Sequence, residues 1–317
     1  MGRIIVGNVP EPDELYGRQA LIDHLWRQIA SSNVLLLAPR RFGKTGVMRH
    51  VLKRPQPGYL PIYFDLEDVD GPDEFVWRLT REILARNSLR SLLHSARSLP
   101  VGVRDWFKET FDEVGFEGAK VKFKATVADD WRTVARRIFL ELEKAGPTLI
   151  FIRDELPAML DRVRRKRGSH EASDLMAWFR TVRMQQRDEL RRHRFLVGGS
   201  IGIDVILRHI DSSDKLNDFE RIPVEPLTSD AASRLIGDLA ASSGVGLAPG
   251  LVPRILEQIG PPVPYFIPSL LATMPVAERA SEPADIGGAR RDIPGPHPRA
   301  HVQALLRPLP CPAIALR

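Results

Sequence analysis

The sequence predicts an α/β fold, a parallel sheet covered by helices on both faces, followed by a smaller helical unit. Three observations predict it. Short apolar runs alternate with helical periodicities over the first two thirds of the chain, as they do when every strand is buried on both faces. One of these runs leads into a Gly-Lys-Thr loop that opens a helix. Beyond Pro226 strand-like runs cease and only helical spacing continues.

Strands are predicted at Asn33–Ala38, Leu60–Leu66, Thr148–Asp154, Phe195–Gly199 and Arg221–Val224. Helices fit between them at about Arg18–Ser31, Gly43–Lys53, Pro72–Asn87, Asp130–Ala145 and Glu171–Arg192. An irregular insert spans about 88–129. Within it Val121, Phe123, Ala125 and Val127 alternate with Lys120, Lys122 and Lys124, the pattern of a two-faced strand at a sheet edge. After the first domain, at 1–225, Thr228 starts a helix. Leu235, Leu239, Ile255, Leu256 and Ile259 give a second domain, 226–280, its apolar face. The stretch 281–317 holds seven prolines and little periodicity, so a disordered tail is expected. A truncated or frame-shifted reading frame would also produce such a run, and translating the downstream DNA in the other frames tests that.

At 317 residues the chain is long enough for two domains. Its 43% apolar and 27% charged content excludes a wholly disordered or membrane-embedded protein. A single cysteine excludes a disulfide framework and suits a reducing, cytoplasmic setting. The formal charge of +6 is concentrated in one place: residues 161–194 carry 11 basic against 5 acidic side chains. Leu175, Trp178, Phe179 and Val182 there predict the buried face of a helix, with Arg180, Arg183, Arg187 and Arg191 on another stripe and a charged loop in front. The stripe reads either as a solvated face or as a patch for the phosphates of nucleic acid.

The strongest chemical signal is VLLLAPRRFGKTGVM at 34–48. It is a P-loop pattern, G-x4-G-K-[ST], with Ala38 at the first glycine. Pro39 biases residue 38 toward extended backbone, which alanine adopts without strain. In this pattern residues Ala38, Pro39, Arg40, Arg41, Phe42, Gly43, Lys44, Thr45 and Gly46 surround the phosphates of a nucleotide. Backbone N–H groups cradle the β-phosphate, Lys44 reaches the β/γ oxygens and Thr45 ligates Mg²⁺. The strand at 148–154 ends in adjacent carboxylates, a costly arrangement unless they meet a cation or water. Asp154 is then the second Mg²⁺ ligand and Glu155 the group that polarises attacking water. Arg153 shares a strand face with Glu155 and is expected to pair with it. Ser200, after the strand at 195–199, reads either as a polar sensor of the γ-phosphate or as an ordinary Gly-Gly-Ser turn.

With these pieces in order, the chain resembles the archaeal-type ATPases of the AAA+/STAND P-loop group, related to the Orc/Cdc6 initiators. The resemblance covers about residues 5–275. It rests on Tyr16-Gly17-Arg18, the 38–45 loop, Asp154-Glu155-Leu-Pro157, Gly199-Ser200, Leu216-Asn-Asp-Phe with Val224-Glu-Pro-Leu227, and GPPVPYFI at 260–267. It implies a three-layer P-loop NTPase fold of the ASCE kind, sheet order 5-1-4-3-2, with a helical or winged-helix lid. Adenine is implied near Tyr16, Gly17 and Arg18, and Pro264 beside it, although 260–267 also reads as a proline-rich helix start. An arginine finger is implied after the sensor strand, with Arg208 and Arg221 as candidates.

The expected cofactors are therefore ATP and Mg²⁺, and the expected activity is slow ATP hydrolysis that works as a switch. The alternatives are an ATP-regulated DNA-binding protein acting through 161–194 and a nucleotide-binding scaffold with little hydrolysis. A protein partner and a second copy of the chain stay open as partners; a membrane is not expected.

Overall fold

The computed structural model describes residues 15–66, 69–85, 111–114, 121–123, 131–133, 135–136, 139, 147–185, 193–200, 202–243 and 246–273. Helix α1 (Gln19–Ile29) buries Ile22, Leu25, Trp26 and Ile29, one apolar stripe at helical spacing. It leads into strand β1 (Asn33–Leu37), whose residues Val34, Leu35 and Leu36 are wholly buried. Helix α2 (Lys44–Lys53) and strand β2 (Tyr59–Asp65) follow. Helix α3 (Pro72–Ala85) has proline in its first turn, where the missing N–H costs nothing.

In the insert, β3 (Phe111–Val114) and β4 (Val121–Phe123) pair with each other, antiparallel, as a separate two-stranded sheet. The lysine-alternating strand is an edge strand, as every strand of a two-stranded sheet is, but of this small sheet and not of the five-stranded one. Most of the helix expected at 130–145 lies outside the described residues, but Trp131, Ala135 and Phe139 are buried in the core. Strand β5 (Thr148–Asp154) is next, followed by helix α4 (Leu156–Arg167), where the sequence reading had a charged loop. Pro157 in the first turn starts α4, and its last turn holds Arg164, Arg165, Lys166 and Arg167, where cations meet the negative end of the helix dipole. Helix α5 (Ser169–Gln185), strand β6 (Arg194–Gly199), a short helix α6 (Ile203–His209) and strand β7 (Phe219–Pro223) complete the alternating part.

The five-stranded sheet has the order β2-β5-β6-β1-β7, all parallel. Counting its strands along the chain, that is 5-1-4-3-2, the expected order. One face packs an aromatic core: Phe151 and Phe195 lie 5.3 Å apart, with Phe139, Phe179, Trp178 and Phe75 around them. Among the described residues three helices follow β7: α7 (Ser229–Ser242), α8 (Leu251–Ile259) and α9 (Phe266–Thr273). Thr228 caps α7 by accepting the Ala231 N–H at 3.2 Å. Ala231, Ala232, Ile236, Leu251, Ile255, Ile259 and Ile267 form their core.

The chain divides into two compact units, and the division is not a single cut. Among the described residues the helical unit takes 15–22, the loop Pro39–Val47 and 224–273, and the sheet unit takes the described parts of Asp23–Ala38 and Met48–Pro223. Among the described residues no helix is long and apolar enough to cross a membrane.

Candidate functional site

In the helical unit the P-loop is held from several sides. Positive φ falls at Arg41 (75°) and Gly43 (92°), while Ala38 keeps ordinary backbone, as Pro39 predicts. Phe42 is buried and anchors the loop, and Arg40 and Arg41 are exposed. Lys44 is buried and donates from Nζ to the Pro39 carbonyl at 3.1 Å. Arg41 places its guanidinium 4.2 Å from the centre of the Tyr265 ring, a cation–π contact. A Cβ built on Gly43 would stand 3.9 Å from Pro264. The stretch at 260–267 therefore packs against the P-loop itself. Thr45 and Gly46 open α2.

The Tyr16-Gly17-Arg18 box belongs to the same unit. Tyr16 donates its hydroxyl to Asp238 at 2.7 Å. Gly17 has φ 62°, and a Cβ there would lie 2.5 Å from the Cβ of Ala231, so only glycine fits. Arg18 is 5% exposed and donates to two carbonyls: Nη1 to Glu225 at 2.7 Å and Nη2 to Phe42 at 3.0 Å. Burial holds its pKa below the ordinary value, against the raising effect of Glu225.

In the sheet unit, Asp154 ends β5 with 4% exposure, and its Oδ1 accepts the Glu155 N–H at 3.0 Å. Glu155 has φ 54° and ψ 36°, left-handed backbone that a side-chain-bearing residue seldom adopts, at the N-cap of α4. Gly198 is a site residue that the sequence reading missed. A Cβ on it would meet Asp154 Oδ1 at 2.5 Å and Met48 Cε at 3.0 Å. Its bareness makes room for the carboxylate. Gly198→Ala should cost about 1–3 kcal/mol of stability through overpacking. Adding Asp154→Ala should return part of that cost in urea denaturation, and strictly additive effects would place the clash elsewhere.

Arg153 corrects an expectation. It is 2% exposed and among the described residues has no carboxylate partner; its guanidinium lies over Phe75, Phe179 and Phe195 at 4.3, 4.7 and 5.3 Å. Nε and Nη2 have no hydrogen-bond partner, so Arg153 takes nothing from Glu155. Ser200 directly follows β6, which lies between β1 and β5. Of the two arginines after it, Arg221 gives both terminal guanidinium nitrogens to Asp204 at 3.1 and 3.0 Å, while among the described residues exposed Arg208 reaches only the Asp204 carbonyl at 3.3 Å.

The basic segment is also different in detail. Leu175, Trp178, Phe179 and Val182 are buried as expected, but Arg183 is buried too and pairs with Asp218 at 2.9 Å. Arg180 bonds Asp214. Arg164 and Arg165 share Asp161, and Arg162 and Lys166 share Asp70, so two carboxylates offset much of the α4 charge. Arg187 and Arg191 lie outside the described residues.

Thr45 in the helical unit and Asp154 in the sheet unit each carry a hard oxygen atom, the donor type that Mg²⁺ takes. Among the described residues no group of three or more His, Cys, Asp or Glu side chains could hold a metal ion.

The sheet order, the loop after β1 and the acidic end of β5 define a P-loop NTPase fold. Solved structures with this fold are similar to the chain. A Walker-type ATPase of Pyrococcus abyssi superposes with a TM-score of 0.56 at 17% identity, covering 87% of this chain and 71% of that one. The Cdc6 protein of Pyrobaculum aerophilum gives 0.55 at 13%, covering 92% and 70%. The Orc1 protein of Aeropyrum pernix, solved in complex with DNA, gives 0.51 at 18%, covering 94% and 68%. At such identities the likeness is one of fold. No protein-family model and no curated protein matches the sequence.

Proposed function

We propose that the protein binds ATP with Mg²⁺ at the loop 38–46 and hydrolyses it slowly, and that the bound nucleotide works as a switch on the helical unit. The observation that carries this reading is the grip of that unit on the P-loop, through Arg41 on Tyr265, Pro264 beside Gly43, and Arg18 between Phe42 and Glu225. Groups that contact phosphates and groups that anchor α7–α9 therefore belong to one packed body. A nucleotide that moves the loop changes the footing of those helices.

In this reading Lys44 leaves the Pro39 carbonyl for the β/γ oxygens, Thr45 and Asp154 hold the cation, and Glu155 orients water. The cation draws off negative charge that develops on the phosphates. Ser200 is the γ-phosphate sensor, and Arg208, the less engaged arginine, is the finger. Tyr16, Gly17 and Pro264 border the adenine.

Lys44→Ala should weaken ATP binding by about 100-fold, the loss of one charge-assisted contact with its point charge. Titration with ATP and phosphate release by the purified wild type and variant measure it. Equal binding and equal turnover would sink the proposal. A second reading, ATP-regulated DNA binding, has the run of cations at the end of α4 in its favour. Repeating the phosphate-release assay with duplex DNA over a salt series separates the two readings, because a phosphate-contact site loses its effect steeply with salt.

A further inference from the structure

We propose that Arg18 is a positioning residue that aims the Gly43 N–H at the β-phosphate and passes the occupancy of that position to the linker at Glu225. This rests on the ATP reading above and adds to it a residue whose pattern suggested an adenine contact.

The argument begins with peptide geometry. Across a trans peptide bond the C=O of one residue and the N–H of the next point in opposite directions. The peptides here are trans. Arg18 Nη2 holds the Phe42 carbonyl at 3.0 Å, so the N–H of Gly43 is directed away from Arg18. That N–H donates to no other group among the described residues. Gly43 sits at φ 92°, where the peptide can flip readily, because glycine has no Cβ to resist rotation. The guanidinium bond fixes one of the two orientations.

The same guanidinium uses Nη1 on the Glu225 carbonyl at 2.7 Å, two residues beyond the end of β7. Arg18 is itself anchored. Its carbonyl accepts the Ile22 N–H at 2.9 Å, the first turn of α1, and Gly17 before it lies so close to Ala231 that a Cβ there would be 2.5 Å from the alanine Cβ. A rigid fork thus joins one phosphate-facing peptide and one linker peptide. Lysine cannot replace it, since a point charge on a flexible stem does not hold two carbonyls in a fixed geometry. The neighbouring linker residue Leu227 donates its N–H to Pro262 at 2.9 Å, so displacement at Glu225 is felt beside the 260–267 stretch.

The test uses the full chain with ADP and AMP as probes, on wild type, Arg18→Lys and Arg18→Met. Wild type should prefer ADP. Both variants should lose about 10–100-fold in ADP affinity, the worth of one well-aimed donor to a charged group, with AMP affinity unchanged within about threefold. ADP should also slow hydrogen exchange at Leu227 in wild type and not in Arg18→Lys. Should Arg18→Met fail to fold, Arg18→Lys carries the comparison. Failure of wild type to bind ADP overturns the ATP reading itself. With wild-type binding intact, ADP affinity kept in the variants overturns the inference. So does an equal loss of ADP and AMP, the mark of a merely structural arginine. An ADP-insensitive Leu227 in wild type overturns the link to the linker.

Discussion

Glu155→Gln is expected to leave ATP binding at the wild-type level and to lower turnover by about 10²–10⁴-fold, the usual worth of a positioned general base. The substitution keeps shape and removes the ability to take a proton. Two observations support Glu155 for this part over Asp154. Asp154 is almost fully buried, and Oδ1 accepts the next backbone N–H, a setting that holds a carboxylate still for a cation. Glu155 is half-buried, begins α4, and its backbone is held in the left-handed region. Such backbone costs of order 1–3 kcal/mol and persists where the surroundings over-determine it. Arg153 contributes no ion pair that would weaken Glu155 as a base, since its guanidinium is sunk among aromatic rings. ATP affinity from titration and a single-turnover rate separate binding from chemistry. An unchanged rate would remove Glu155 from the chemistry. A parallel loss of affinity would mean that it holds the nucleotide or its cation instead.

What was legible in the sequence follows from how local each signal is. The five parallel strands were legible because burial on both faces writes a continuous apolar run. Their order was not, and it came with the resemblance. The P-loop was legible because its spacing is a property of eight consecutive residues. Helix α4 was missed because RVRRKR was read as solvated loop, although arginine and lysine are good helix formers and favour the last turn of a helix. Gly198 was hidden for a different reason. Gly-Gly-Ser is ordinary turn chemistry, and the demand for a bare Cα comes from Asp154 on the neighbouring strand, 44 positions away in the chain. Arg18 was read as part of an adenine box, whereas its bonds run to carbonyls at positions 42 and 225. Arg183 looked like one member of an exposed stripe until Asp218, from the approach to β7, supplied its partner. Each of these readings depends on what a second segment brings, and periodicity along one segment carries no record of that.

Arg153→Met should stabilise the folded protein by about 1–4 kcal/mol, the range seen when buried ionic groups give way to packed apolar ones. Strand alternation directs residue 153 to the face opposite Asp154, among Phe75, Phe179 and Phe195. Desolvation holds its pKa well below the arginine value, and the nearby Arg183 charge pushes the same way. Arg183 has Asp218 to offset its own burial; among the described residues Arg153 has only ring faces. Cation–π contacts in a dry site are worth about 2 kcal/mol or more each, whereas taking an ion out of water costs several kcal/mol. The ring faces leave Nε and Nη2 without hydrogen-bond partners, and those unmet donors put the balance on the side of cost. The sign with pH follows from the depressed folded-state pKa. Below it the folded protein carries the charge and the full penalty, and the penalty shrinks only as pH rises through it, because the unfolded chain goes on binding the proton. The gain from Arg153→Met is therefore complete at acid pH and smaller in alkali. Methionine also fills the cage with a long, polarisable side chain that favours aromatic neighbours. Urea denaturation of wild type and variant at several pH values measures this, provided the transitions are two-state. A loss of more than about 1 kcal/mol on substitution would mean that the aromatic cage outweighs the desolvation of the ion. Arg153 would then be a cation–π keystone of the core under the acidic end of β5.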